Sequence, residues 1–240
     1  MKKAFVFQDD KSNKFWWIES FKDSFVVNYG KFGVTGKYEI KEFDSEEECE
    51  KQAQKMISSK MKKGYKEDTT FDFINRFYFD DEEIGLNLLT SHPNFRSCFT
   101  EEFYCDCCDE EAPFGSDEGS DTLYLITEKL RKSPKFKFAD FPRYIIEDEW
   151  GMEYIPVDDL SEDLVAKQIK DDEMNTTQSD MITYASAFAQ IKISGKLDPT
   201  LKESAVKAME RYKITAKILE WGVESSVTNK MIDDLSAFKA

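Results

Sequence analysis

Val26-Val27-Asn28-Tyr29-Gly30-Lys31-Phe32-Gly33-Val34-Thr35-Gly36-Lys37 changes character at its middle. The first half is apolar and β-branched, and a period of two sets Phe25, Val27 and Tyr29 on one face of a strand. Gly30, Gly33 and Gly36 then break the pattern, and Lys37 to Phe43 begins a new extended run. A glycine-rich connection between two strands is a hairpin-like loop that needs positive φ. A phosphate-cradling loop would instead lead into a helix, with Lys-Ser/Thr at its end. That reading is excluded.

Upstream, the Phe and Val of Lys2 to Gln8 predict a strand, and Asp9-Asp10-Lys11-Ser12-Asn13 a turn. Lys14-Phe15-Trp16-Trp17-Ile18-Glu19 predicts a second strand, turned by Phe21 to Ser24 into the third. Short turns between short strands imply an antiparallel sheet. Downstream, Ser45 and Glu48 form an S-x-x-E capping box at a helix start, with Glu46 and Glu47 complementing the helix dipole. Cys49, Ala53, Met56, Ile57 and Met61 recur at helical spacing and must cover a sheet face. Lys60, Lys62 and Lys63 precede Gly64, the stop signal. The expected module is α+β and spans residues 1–69.

In this order the segment resembles the WGR domain of poly(ADP-ribose) polymerases and many bacterial proteins, the molybdate-regulator-like MolR group among them. The motif is Tyr29-Gly30-Lys31-Phe32-Gly33-x-x-Gly36 between strands, followed by the helix that ends in Lys62-Lys63-Gly64-Tyr65. The resemblance implies a surface for nucleic acid or a protein partner at Tyr29, Gly30, Lys31, Phe32 and Lys37. In the polymerases the Trp and Arg of the motif lie at a DNA end and at a domain interface. Here Tyr29 and Lys31 take those places. An aromatic ring at 29 can stack, whereas Lys31 meets a phosphate as a point charge without the bidentate fork of Arg. Two readings of Tyr29 and Phe32 stand side by side: turn and core residues, or direct ligand contacts.

The remaining residues, 70–240, differ in charge. Residues 1–69 carry 14 Lys/Arg and 13 Asp/Glu, while residues 70–240 carry 19 and 35 of a chain whose net charge is −15. Such a bulk repels a phosphate backbone and confines any nucleic-acid contact to the first domain. Phe71, Phe73, Phe77, Tyr78, Phe79, Phe95, Phe99, Phe103 and Tyr104 in the acidic middle argue for packed structure or a partner surface. Ala112 to Leu123 resembles a segment of bacterial WGR proteins of the YfeS type, which extends the resemblance towards the whole chain. Asp117, Glu118 and Asp121 lack the ligand ladder of a calcium loop. They are read as a capping loop, with Ser120 or Asp121 at the start of a helix bearing Leu123, Ile126 and Leu130. Phe136 to Ile146 returns through a short helix or strand, and Glu147 to Val157 is irregular. Helices follow at Asp180 to Ile193, from Asp198-Pro199 to Trp221 with Gly222 as its stop, and from Ser226 to Phe238. The second domain is therefore expected to be acidic and mainly helical.

Catalytic chemistry finds little support. His92 is the one histidine, in a loop-like Thr90-Ser91-His92-Pro93-Asn94 segment without a paired Ser or Cys motif. Cys98, Cys105, Cys107 and Cys108, with His92 nearby, contain only one conventional zinc pairing distance, so neither metal nor cofactor is expected. The five cysteines are an odd number and are expected to be reduced thiols. No apolar run approaches the length of a membrane span, and the short apolar start is not a signal peptide, so a soluble cytoplasmic protein is expected. The chain is read as a non-catalytic binding protein whose WGR-like module contacts nucleic acid or a protein partner. The alternative is an immunity- or antitoxin-like protein whose acidic domain masks a basic partner without binding DNA.

Overall fold

The computed structural model describes residues 1–221 and 226–239. The chain divides into two compact units, Met1–His92 and Pro93–Ala240.

The first unit is built on an antiparallel sheet of β1 (Lys2–Asp9), β2 (Ser12–Phe21), β3 (Ser24–Lys31), β4 (Lys37–Glu42) and β5 (Lys66–Glu67). The strand order is β4-β3-β2-β1-β5, so the first four strands form a meander. Trp16 stands opposite Tyr29, and Phe15 opposite Gly30. The fifth strand, too short for a sequence pattern, pairs with Phe5 and Val6 of β1. On one face Phe5, Trp16, Ile18, Phe25 and Val27 pack beneath Cys49, Ala53 and Ile57 of α1 (Glu46–Lys62). Ser45 caps this helix by accepting from the Glu48 amide. Glu48 does not complete a reciprocal capping box; its carboxylate accepts from Lys51 and Gln52 instead.

The opposite face is equally aromatic. Trp17 meets Tyr38 and Phe73 edge-on, each with ring centroids 5.8 Å apart, and Phe15 packs on Phe71. Burial of each such side chain contributes roughly 1.5–3 kcal/mol, so this face needs a cover. Residues 71–92 supply it, and for that reason the first compact unit runs beyond the WGR-like module to His92. Tyr38 Oη donates to the Phe77 carbonyl at 2.9 Å. Asp81, only 7% exposed, accepts from the Ile40 amide at 2.7 Å. Ile40 lies on the outermost strand, so a side chain satisfies an edge amide that would otherwise be buried and unpaired. His92 is buried; its Nε2 donates to the Ile74 carbonyl at 2.8 Å, and Tyr78 lies edge-on to the ring.

The second unit contains α2 (Pro93–Cys98), α3 (Asp117–Lys132), α4 (Phe141–Arg143), α5 (Glu162–Ser194), α6 (Pro199–Ile218) and α7 (Ser226–Ala237). A π-helical turn, Tyr144–Glu149, continues α4. The sequence-based stop at Gly222 lies outside the described residues. α3 starts earlier than expected, because Ser116 rather than Ser120 or Asp121 caps it by accepting from the Gly119 amide. α5 is longer than expected and is two helices joined across a kink. Asp172 leaves helical geometry at φ −160° and ψ 89°, and its carboxylate restarts the helix by accepting from the Asn175 amide. From Ile182 to Ser194 every residue is buried, so this segment is the core of the unit rather than a one-sided amphipathic helix. Asp180 and Arg211 are wholly buried. Arg211 Nε donates to both Asp180 oxygens at 3.0 and 3.1 Å, and its other nitrogens donate to the Ile155 and Pro156 carbonyls. Burial pushes the Asp180 carboxyl upward, and the guanidinium opposes the shift. No helix among the described residues is long and apolar enough to cross a membrane.

Candidate functional site

Antiparallel order brings the β1–β2 turn and the β3–β4 loop to one end of the sheet, and α1 runs back towards that same end. Lys11, Lys14, Lys31, Lys37, Lys60, Lys62 and Lys63 therefore gather there, against Asp9, Asp10 and Glu39. The other end carries the exposed carboxylates of Asp23, Glu42, Asp44, Glu46 and Glu47 and the Lys2–Glu19 pair, against Lys22, Lys41 and the Met1 ammonium. Residues 1–69 are near neutral in sum but polarised along the strands. Lys14 and Lys31 face each other across β2 and β3. Among the described residues, neither these two nor Lys63 has an ion-pair partner.

At the centre of the basic end Lys60 sits among rings. Its Nζ lies 5.3 Å from the centroids of Trp16 and Tyr65 and 5.6 Å from that of Tyr29. The helix terminus imposes this arrangement. Gly64, at φ +89°, donates to the Met61 carbonyl while Tyr65 donates to the Lys60 carbonyl, the paired bonds of a Schellman cap. That cap folds Tyr65 back over Lys60, and Phe7 supports Tyr65 at 5.5 Å. Burial lowers the Lys60 pKa, with help from the positive charges of Lys63 and Lys14. Tyr29 Oη donates to Glu39 at 2.5 Å, and Lys37 Nζ lies 3.4 Å from the same carboxylate oxygen. The Glu39 hydrogen bond, burial and the Glu39 charge push the Tyr29 phenol up to about 12.

The loop that follows presents apolar side chains. Phe32 is 42% exposed and Val34 is 55% exposed. Gly33 and Gly36 have φ +89° and +88°, as a turn of this kind requires. Gly36 is also sterically obligatory: a Cβ there would lie 2.8 Å from Phe15 Cζ and from the Tyr29 carbonyl oxygen. Gly30 does not need positive φ. Its glycine makes room for the returning loop, since a Cβ would lie 3.0 Å from Gly36 Cα.

The sequence-predicted residues are divided between two faces. Tyr29, Lys31 and Lys37 share the helix-bearing face. Phe32 leans on Phe15 of the opposite face, with centroids 5.9 Å apart. There the Arg76 guanidinium covers Phe15 and Phe71 at 4.2 and 4.8 Å. Lys14, Lys60, Tyr65 and Arg76 were not singled out from sequence. Strand alternation could have placed Lys14 beside Lys31, and Gly64 could have indicated the cap that brings Tyr65 to Lys60. Of the cysteines, Cys49 is buried in the first unit. Cys98, Cys107 and Cys108 are exposed in the second, with Cys105 half-buried.

The sequence profile of the WGR domain matches residues 1–72. Uncharacterized protein YfeS of Escherichia coli (strain K12) is 55% identical over 240 residues, covering 99% of this chain and 98% of that protein. Protein YehF of the same organism is 38% identical over 63 residues, which is 26% of this chain and 23% of YehF. A crystal structure of a Bacteroides fragilis protein aligns with 57% of this chain and 40% of its own at 28% identity, with a TM-score of 0.28. The near full-length identity and the matching first domain show that the chain belongs to the YfeS family of WGR-domain proteins.

Proposed function

We propose that the chain is a non-catalytic binding protein whose WGR domain contacts nucleic acid through the basic end of its sheet. One observation carries this reading: Lys14, Lys31 and Lys63 lack ion-pair partners among the described residues and share the end of the sheet that holds the Lys60 ring cage, in a chain of net charge −15. Lysines at the end of α1 also complement the helix dipole, but that role does not account for Lys14 and Lys31 on β2 and β3. Lys31 supplies charge to a phosphate from the helix-bearing face, and Phe32 and Val34 offer apolar contact from the loop that follows. Tyr29 works differently from a free stacking platform. With its hydroxyl on Glu39 and its ring beside Lys60, it holds the surface in shape.

Fluorescence anisotropy with nicked and blunt-ended duplexes tests the reading. Three or four phosphate contacts give a slope of log K against log salt of about −3 to −4. Lys31→Glu should abolish measurable binding at physiological salt while leaving the circular dichroism spectrum unchanged. Absence of binding to either duplex at low salt, or affinity insensitive to salt, would refute the assignment. Salt-sensitive capture of a basic protein without DNA binding would instead favour a partner-masking role for the acidic domain.

A further inference from the structure

Adjacent residues in an extended chain point to opposite sides. Cys107 and Cys108 do not: their sulfurs lie 3.8 Å apart. The turn around them explains this. Asp106 Oδ1 accepts from the Cys108 amide at 2.8 Å, and an oxygen of the Asp106 carboxylate lies within 4.8 Å of both sulfurs. All three residues are exposed. We propose that Asp106, Cys107 and Cys108 form a binding site for a thiophilic divalent cation of the zinc and cadmium class.

Three features support the assignment. Two thiolates each bound at about 2.3 Å around a tetrahedral zinc ion stand roughly 3.8 Å apart, so the sulfurs already have the required bite. Sequence spacing alone argued against a site because it offers only one conventional pair, Cys105 and Cys108, yet the turn brings together the adjacent Cys107 and Cys108 instead. The surroundings also favour positive charge. No Lys or Arg occurs between Arg96 and Lys129, while Asp109, Glu110 and Glu111 follow directly. Two sulfurs and one carboxylate oxygen give three protein ligands, and a fourth position faces solvent. On binding, each thiol releases one proton to solvent as its sulfur joins the metal. The cation is not reduced or oxidised.

The full chain, stripped with chelator and kept reduced with a phosphine, should take up one equivalent of Cd(II) with a thiolate-to-metal charge-transfer band. Cys107→Ser combined with Cys108→Ser should abolish the band, whereas Cys98→Ser should leave it unchanged. Asp106→Asn should weaken uptake by about tenfold or more. No band in the wild-type chain, or a band that persists in the double variant, overturns the proposal. X-ray absorption of the Zn(II)-loaded wild-type chain gives a second test that needs no variant. Two sulfur neighbours at about 2.3 Å are expected, and a shell without sulfur overturns the assignment.

Discussion

Replacing Asp81 by alanine should loosen the outer edge of the sheet. The Asp81 carboxylate accepts from the Ile40 amide at 2.7 Å, from Glu83 at 2.8 Å and from Ile84 at 3.3 Å. Glu83 and Ile84 are exposed and their amides can turn to water, so they add little. The Ile40 bond is buried and charge-assisted. Its loss, with the amide left unpaired, costs about 2–4 kcal/mol. Asp81→Asn keeps an acceptor oxygen and should cost only about 1 kcal/mol. Hydrogen exchange reads the effect at the bond itself. In Asp81→Ala the Ile40 amide should exchange roughly 30- to 700-fold faster, the equivalent of that free energy at 1.4 kcal/mol per decade. Exchange within about twofold of wild type, the scale of an inconsequential surface change, would show that Asp81 does not hold the edge.

Two further outcomes follow from the polar pairs. The folded state holds the Tyr29 phenol neutral, up to a pKa of about 12. Its contribution is thus fully present below the ordinary tyrosine pKa of about 10 and is lost as pH rises through about 12. Urea midpoints measured from pH 9 upward should fall less steeply in Tyr29→Phe than in wild type; parallel curves would contradict the Glu39 pairing. In the second unit, Arg211→Met removes one partner of a fully buried pair and strands the other. A loss of about 3–5 kcal/mol is expected by chemical denaturation, and a loss below about 1 kcal/mol would be the scale of an ordinary substitution instead.

Aromatic and β-branched content made β1 and β2 legible, period-two alternation made β3 so, the glycine break announced β4, and Ser45 and Gly64 marked both ends of α1. The fifth strand was not legible because Lys66 and Glu67 are too few to show a period. The cover over Trp17 and Tyr38 was hidden for another reason: residues 71–92 form turns whose aromatics follow no regular spacing. Ser116 was passed over as the α3 cap because Gly119 looks like a loop residue. Inside the helix it is needed, since a Cβ there would lie 2.4 Å from the Pro113 carbonyl oxygen. Asp172 concealed the start of α5 by interrupting helical geometry midway. At the candidate surface, the resemblance to the WGR domain pointed to Tyr29, Lys31 and Lys37. Lys14, Lys60 and Tyr65 join them only through strand register and the helix cap, which are properties of the folded chain.

The meander has a consequence for biosynthesis. Strands β1 to β4 pair with sequence neighbours, so their hairpins can close as the chain emerges, with little loop entropy to overcome. The Trp17 face cannot be finished so early, because its cover extends to His92. At about 5–20 residues per second, the thirty residues after α1 take roughly 2–6 s to be made. For that interval a nascent sheet shows Phe15, Trp17 and Tyr38 to its surroundings. Slow codons in this stretch would lengthen the exposure, and a chain released before residue 71 would keep an uncovered aromatic face.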